Sequence, residues 1–172
     1  MTRHSALKRL EDFNVGDVFR SRLGRTITEA DNIWFTCLTM NTNQSHFNRE
    51  YAGRTRFGEP LVNSCLTLAL VTGLSVPETS EEAVANLSWS EVRLPAPVFV
   101  GDTLWAETEV LEVTPSRSND EVGVVTVRSR GLNQRGETVI EFIRAFMVYR
   151  RSAEVADSFP QPLGEWGLPG RD

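Results

Sequence analysis

The side chains best suited to chemistry in this 172-residue chain lie between Asn41 and Ser64. There are two histidines, His4 near the start and His46 inside a polar run that reads Asn41-Thr42-Asn43-Gln44-Ser45-His46. An imidazole titrates near neutral pH and can take or give a proton, while carboxamides hold water through their oxygen and nitrogen. Together they suit proton transfer to and from a bound water. The same residues also suit a local job, Asn41 capping the helix before it and His46 tethering the loop. Arg49, Arg54 and Arg56 follow closely in a chain of net charge −5. They either hold an anion or face solvent. Asn63 and Ser64 head an apolar run and either offer N–H groups to a carbonyl oxygen or cap a helix. Cys37 and Cys65 stand apart without the spacing of a redox pair or a zinc site, so no metal centre is expected. Their isolation points to a reducing compartment, the cytoplasm. Trp34, Trp89 and Trp105 are most simply core or interface residues.

The elements around these residues must position them. Leu7, Leu10 and Phe13 recur at helical spacing, so residues 1–13 read as an arm or a lone helix. Residues 15–27 read as extended, with a Gly-Asp turn at Gly16 and Asp17. Thr28 with Asp31 three residues on is a capping box. The helix it starts places Ile33, Phe35, Thr36, Cys37 and Met40 around an apolar stripe and ends near Asn41. Residues 41–58 form a loop, and Pro60 suits the first turn of a second helix. That helix, predicted from Leu61 to about Gly73, is apolar nearly all round and therefore buried. Gly73 and Pro77 are its stop signals.

Residues 85–93, 103–113, 122–131 and 137–150 read as strands separated by turn residues. The apolar phase slips between Val110 and Leu111, which predicts a β-bulge. The last strand is apolar on both faces, so it is central or meets a partner. Residues 152–172 are rich in Pro and Gly and read as an irregular tail, with Trp166 docking on the body. The order of elements gives an α+β fold, one long antiparallel sheet wrapped around one buried helix. The uncovered face of such a sheet calls for association into a homodimer.

Composition narrows the classes further. With 40% hydrophobic and 24% charged residues the chain reads as a soluble globular domain. A chain of this size can bury about 70% of its surface in one core, so a single domain is expected. The acidic balance, with no basic stripe, argues against nucleic acid or an anionic membrane as partner. The N-terminus has no apolar stretch of the kind a signal peptide needs, and residues 60–76 are too polar and too short to span a bilayer.

The sequence resembles the MaoC-like dehydratase family, which includes R-specific enoyl-CoA hydratases and has the hotdog fold. The resemblance covers residues 14–151, leaving the arm and the tail outside it. It rests on VGD at Val15 to Asp17, ITEAD at Ile27 to Asp31 and NTNQSHFN from Asn41. YAGRTRFGEPLV from Tyr51 and VGDTL from Val100 complete it. The loop and the LVNSCLTLALVTGLSV run look most like the mesaconyl-CoA hydratase (β-methylmalyl-CoA dehydratase) branch. The family's usual loop reads Asp-x-Asn-Pro-x-His. Here His46 and Asn43 match, Asn41 stands where the Asp would be, and Gln44 replaces the proline.

The resemblance implies reversible hydration of an enoyl-CoA thioester, mesaconyl-CoA or a similar short branched acyl-CoA being the first guess. Coenzyme A then enters as part of the substrate and no other cofactor is needed. Such a reaction requires a group to deprotonate water, a proton for C2 and donors for the enolate oxygen. The resemblance implies catalytic roles for His46 and Asn41, with Asn43, Asn63, Ser64, Arg54 and Arg56 binding substrate. An amide cannot take up a proton at neutral pH. Three arrangements therefore stay open: His46 alone with water held by Asn41 and Asn43, a stand-in carboxylate from Glu50 or Glu59, or acyl-CoA binding without hydration. The arginines would read either the CoA phosphates or a second carboxylate of the acyl group. A thioesterase using Glu50 or Glu59, and a non-catalytic acyl-CoA-binding subunit, are the rival functions.

Overall fold

Each strand in the second half of the chain has an apolar face to bury, and that demand organises the molecule. The computed structural model describes residues 8–154. Strands β1 (Val18–Arg20), β2 (Arg25–Thr26), β3 (Ala85–Arg93), β4 (Thr103–Pro115), β5 (Val122–Asn133) and β6 (Thr138–Tyr149) form one sheet. Its order is β1-β4-β5-β6-β3, with β2 also on β4, and every pairing is antiparallel. Helices α1 (Glu29–Leu38), α2 (Arg49–Ala52) and α3 (Ser64–Thr79) come before β3 in the chain. α3 packs on the inner face of the sheet, where Leu66 and Val71 meet Leu104, Ala106, Ile140 and Phe142. The close approach needs Gly131, since a Cβ there would lie 2.6 Å from Val71 Cγ2.

The expected bulge is present. Pairing between β4 and β5 passes from Val110↔Val127 to Glu112↔Thr126, leaving Leu111 as the extra residue. A second bulge accounts for the doubly apolar last strand. Pairing passes from Gly131↔Ile140 to Leu132↔Thr138, so Val139 is unpaired and both it and Ile140 are buried. β6 is interior, lying between β5 and β3.

Several expectations are corrected. Leu10 and Phe13, assigned to the arm of residues 1–13, are buried, with Phe13 edge-on to Phe19 and Phe146 at 5.9 and 6.0 Å. The packed body therefore takes in Leu10 and Phe13. Leu7 and the tail residue Trp166 lie outside the described residues. α3 does not stop at Gly73 but runs through Pro77 to Thr79. Pro77 has no N–H for the Gly73 carbonyl, and nearby hydroxyls support the turn. Ser75 Oγ donates to Thr72 O and Thr79 Oγ1 to Ser75 O, each at 2.7 Å. Nor is α3 covered all round, because Cys65, Ala69, Gly73 and Pro77 form an exposed stripe. On α1 the buried residues are Asn32 and Thr36, while Trp34, Leu38 and Met40 are exposed.

The outer face of the sheet mixes charge with half-buried apolar residues, Ile143 and Met147 among them. It carries cross-strand ion pairs: Glu107 accepts from Arg20 at 2.6 Å and also pairs with Arg130, and Glu141 faces Arg93 at 3.8 Å. An apolar strip also lies bare along the edge strand β3, every residue of which is exposed, with Leu87, Trp89 and Val92 among them.

A cationic side chain is buried in the core. Arg144 on β6 is fully buried. Its Nη2 donates to Ser80 Oγ at 2.9 Å and Thr79 Oγ1 at 3.2 Å, at the end of α3, and its guanidinium lies 4.7 Å from the Phe146 ring centre. Its Nε and Nη1 have no hydrogen-bond partner among the described residues, and burial pushes its pKa down to about 10.

Candidate active site

The polar loop takes its shape from its own amides. α1 begins with the expected capping box, Thr28 Oγ1 accepting from the Asp31 N–H and the Asp31 carboxylate from the Thr28 N–H. It ends when the Asn41 N–H reaches back to Thr36 O and the Met40 N–H to Cys37 O, both at 3.0 Å, with Met40 at φ +53°. This is the Schellman arrangement, with a methionine where glycine is usual. Asn41 Oδ1 then accepts from the Asn43 N–H at 2.9 Å, and Asn43 Oδ1 from the Ser45 N–H at 3.1 Å, capping a 3-10 turn over Gln44–His46. Asn48 caps α2 by accepting from the Tyr51 N–H.

The far side of the loop is fastened to an extended stretch. The Leu61 N–H donates to Ser45 O at 3.0 Å, Leu61 bridges Phe99, and the Val62 N–H donates to Val98 O at 2.8 Å. Asp102 holds this stretch from behind by accepting from the Phe99 N–H, Gln134 and Arg135. Burial pushes its carboxyl up, but those three donors outweigh it and keep the carboxyl below the usual range.

His46 Nδ1 lies 3.0 Å from Leu61 O. A carbonyl can only accept, so Nδ1 carries the proton and Nε2 is the bare nitrogen of the neutral ring, an assignment made from the bonding. The ring lines a cleft of about 250 Å³ together with Arg56, Phe57, Ser64, Thr67 and the linker residues Leu94 to Val98. A second cavity of about 160 Å³, with Glu29, Arg49 and Glu59 on its wall, also touches His46.

Of the residues singled out in the sequence, the cleft brings together His46, Ser64 and Arg56. Asn41 and Asn43 shape the loop through their oxygens and do not line it. Asn63 is buried as the N-cap of α3, accepting from the Cys65 N–H at 3.0 Å and donating to Thr36 Oγ1 at 3.3 Å. Arg54 lines neither cavity, and Arg49 pairs with Glu29 at 2.9 Å. Glu59 shares the second cavity with His46, whereas Glu50 lies in neither.

Asn32 was not singled out in the sequence. It is buried and donates to His46 O at 2.8 Å and Leu61 O at 2.9 Å, while accepting from the Asn63 N–H at 2.9 Å. The available signal was a polar residue at a position where α1 should face inward.

An antiparallel sheet wrapped on one central helix, with the loop at the head of that helix, defines a hotdog fold. A Mycobacterium tuberculosis protein with a double hotdog fold superposes at a TM-score of 0.75 and 20% identity, over 92% of this chain and 52% of that one. The chain belongs to the MaoC-like domain family, whose model matches residues 12–131. A MaoC-like dehydratase from Rhodospirillum rubrum superposes at a TM-score of 0.74 and 32% identity, over 85% of this chain and 99% of that one. Mesaconyl-CoA hydratase from Cereibacter sphaeroides is 36% identical over 152 residues, which is 88% of this chain and 43% of that protein. The chain thus spans less than half the length of that relative.

Proposed function

We propose that the protein is a hydro-lyase that reversibly hydrates an enoyl-CoA thioester, with His46 as its acid–base residue. The observation that carries this reading is the pinned ring of His46, with Nε2 bare, lining a cleft that Ser64 also lines at the start of α3. Nε2 takes a proton from water as the oxygen adds to C3, and the imidazolium returns a proton to C2. Charge that develops on the thioester oxygen faces the first turn of α3, where the Ser64 N–H has no partner among the described residues. Water addition is redox-neutral, so coenzyme A within the substrate is the one cofactor moiety this reading requires. Asn41 and Asn43 act by shaping the loop that carries His46, their oxygens accepting from the Asn43 and Ser45 N–H groups, and the water is left to His46.

Arg56 lines the cleft and has no carboxylate partner among the described residues, which fits an acyl group with a second carboxylate. Mesaconyl-CoA, named in the relative from Cereibacter sphaeroides, is such a compound. A second copy of the chain is the natural cover for the bare edge of β3, and the double hotdog relative supports two such units side by side. The two exposed thiols suit a reducing compartment, the cytoplasm. Among the described residues no helix is long and apolar enough to cross a membrane.

The test mixes purified protein with mesaconyl-CoA and, separately, crotonyl-CoA, following loss of the enoyl-thioester absorbance beside His46→Ala. Hydration by the wild type, reduced about 10²–10⁴-fold in the variant, is expected. Release of free thiol instead would favour a thioesterase with Glu59 beside His46. Binding without turnover would favour a binding subunit.

A further inference from the structure

Asn32 is buried where three segments meet, and each presents a backbone group that needs a partner. Two are carbonyls, His46 O and Leu61 O, and the third is the N–H of Asn63, the cap of α3. A carboxamide is the one side chain that offers two N–H donors and an acceptor in a fixed plane. Aspartate has the acceptor without the donors, and serine has one donor in place of two. The bonding also fixes which end is which, since the carbonyls require the NH₂ group and the Asn63 N–H requires the oxygen.

Leu61 O accepts from both Asn32 Nδ2 at 2.9 Å and His46 Nδ1 at 3.0 Å. Both lone pairs of that carbonyl are used, so its direction is fixed, and with it the nitrogen on which the imidazole keeps its proton. Through its oxygen the same amide fixes the residue from which α3 starts, and so the place of the Ser64 N–H. One side chain therefore couples the base to the helix terminus, lining the second cavity beside His46 and not the cleft that His46 and Ser64 share.

We propose that Asn32 is the positioning residue of this site: its buried amide holds His46 in the tautomer with Nε2 bare and sets that ring against the first turn of α3. The kinetic part rests on the hydratase reading, whereas the tautomer can be read without any activity. Asn32→Asp keeps the shape and removes both donors. Asn32→Ala removes the amide without adding charge. With only two histidines in the chain, long-range proton–nitrogen correlation spectra of the ring nitrogens are simply assigned, His4→Ala identifying the other.

The expected wild-type spectrum has His46 protonated on Nδ1 in the neutral form. Both variants, folded by circular dichroism, are expected to show a mixture of tautomers. On enoyl-CoA, kcat is expected to fall about 10–100-fold with KM changed less than about threefold. A wild-type ring protonated on Nε2, or folded variants with the wild-type tautomer and kcat, overturns the proposal. Failure of both variants to fold also overturns it, because positioning would then be inseparable from stability. Absence of hydration in the wild type, with the tautomer shift present, overturns the hydratase reading and leaves the positioning role standing.

Discussion

Replacing Arg144 by methionine should make the protein more stable. A guanidinium pushed from its ordinary value down to about 10 has lost on the order of 3 kcal/mol of preference for its charged form. Two bonds to hydroxyls and the contact with Phe146 return roughly 1–2 kcal/mol of that. Nε and Nη1 return nothing, having no partner among the described residues. Methionine keeps the apolar stem in place and adapts to the space that remains. The balance is a gain of about 1–2 kcal/mol, which for a chain of this size raises Tm by about 2–8 °C.

The pH dependence gives the argument a second handle. The folded-state value is depressed, so above pH 10 the unfolded chain binds more protons than the folded one and wild-type stability rises with pH. The advantage of Arg144→Met should therefore be constant at lower pH and narrow above about pH 10. Calorimetric melts of both proteins at several pH values supply the data. A variant less stable than wild type by more than about 1 kcal/mol would refute the reasoning, because the bonds to Thr79 and Ser80 would then outweigh the cost of the buried charge.

Four other substitutions separate the remaining roles. Arg56→Ala should raise KM for mesaconyl-CoA about 10–100-fold while leaving crotonyl-CoA nearly unchanged, and Arg54→Ala should alter neither, as steady-state kinetics on both substrates would reveal. Asp102, whose carboxyl is held below its usual range, stabilises the fold above that range and loses the contribution as pH falls through its folded-state value. Asp102→Asn should therefore flatten the acid limb of a plot of urea midpoint against pH. Leu87→Lys, on the bare edge of β3, tests the proposed association: the wild type is expected to scatter as a dimer at micromolar concentration and the variant as a monomer, with far-UV circular dichroism unchanged.

The second half of the fold was legible in the sequence because strand alternation survives translation into structure almost intact. The slip at Leu111 even marked the bulge. Thr28 and Asp31 gave the start of α1 for a similar reason, both partners lying within one turn. What could not be read depends on residues far apart in the chain. Asn32 looked like part of an ordinary amphipathic helix, because its three partners come from residues 46, 61 and 63. Asn63 looked like a donor for substrate, but its amide is taken up by the Cys65 N–H and Thr36. Pro77 read as a stop because its effect on the Gly73 carbonyl is local, while the hydroxyl bonds of Ser75 and Thr79 became visible only with the helix built.

The fastening of the His46 loop has a consequence for how its letters are inherited. Its path is pinned at Ser45 O by Leu61 and at His46 O by Asn32, both of which lie outside the loop. Asn41 and Gln44 lie just ahead of both pins. An aspartate at 41 would accept from the Asn43 N–H as Asn41 does, and Gln44 is the first residue of the 3-10 turn, where a proline also fits. A motif's aspartate and proline can therefore drift to these letters without redrawing the path. Such a loop is a poor cassette for transplantation. Moved alone into another scaffold it would lose its geometry, whereas letters exchanged within it leave the frame standing. Chemistry can therefore be retuned inside this frame one residue at a time, and the fold sees little of it.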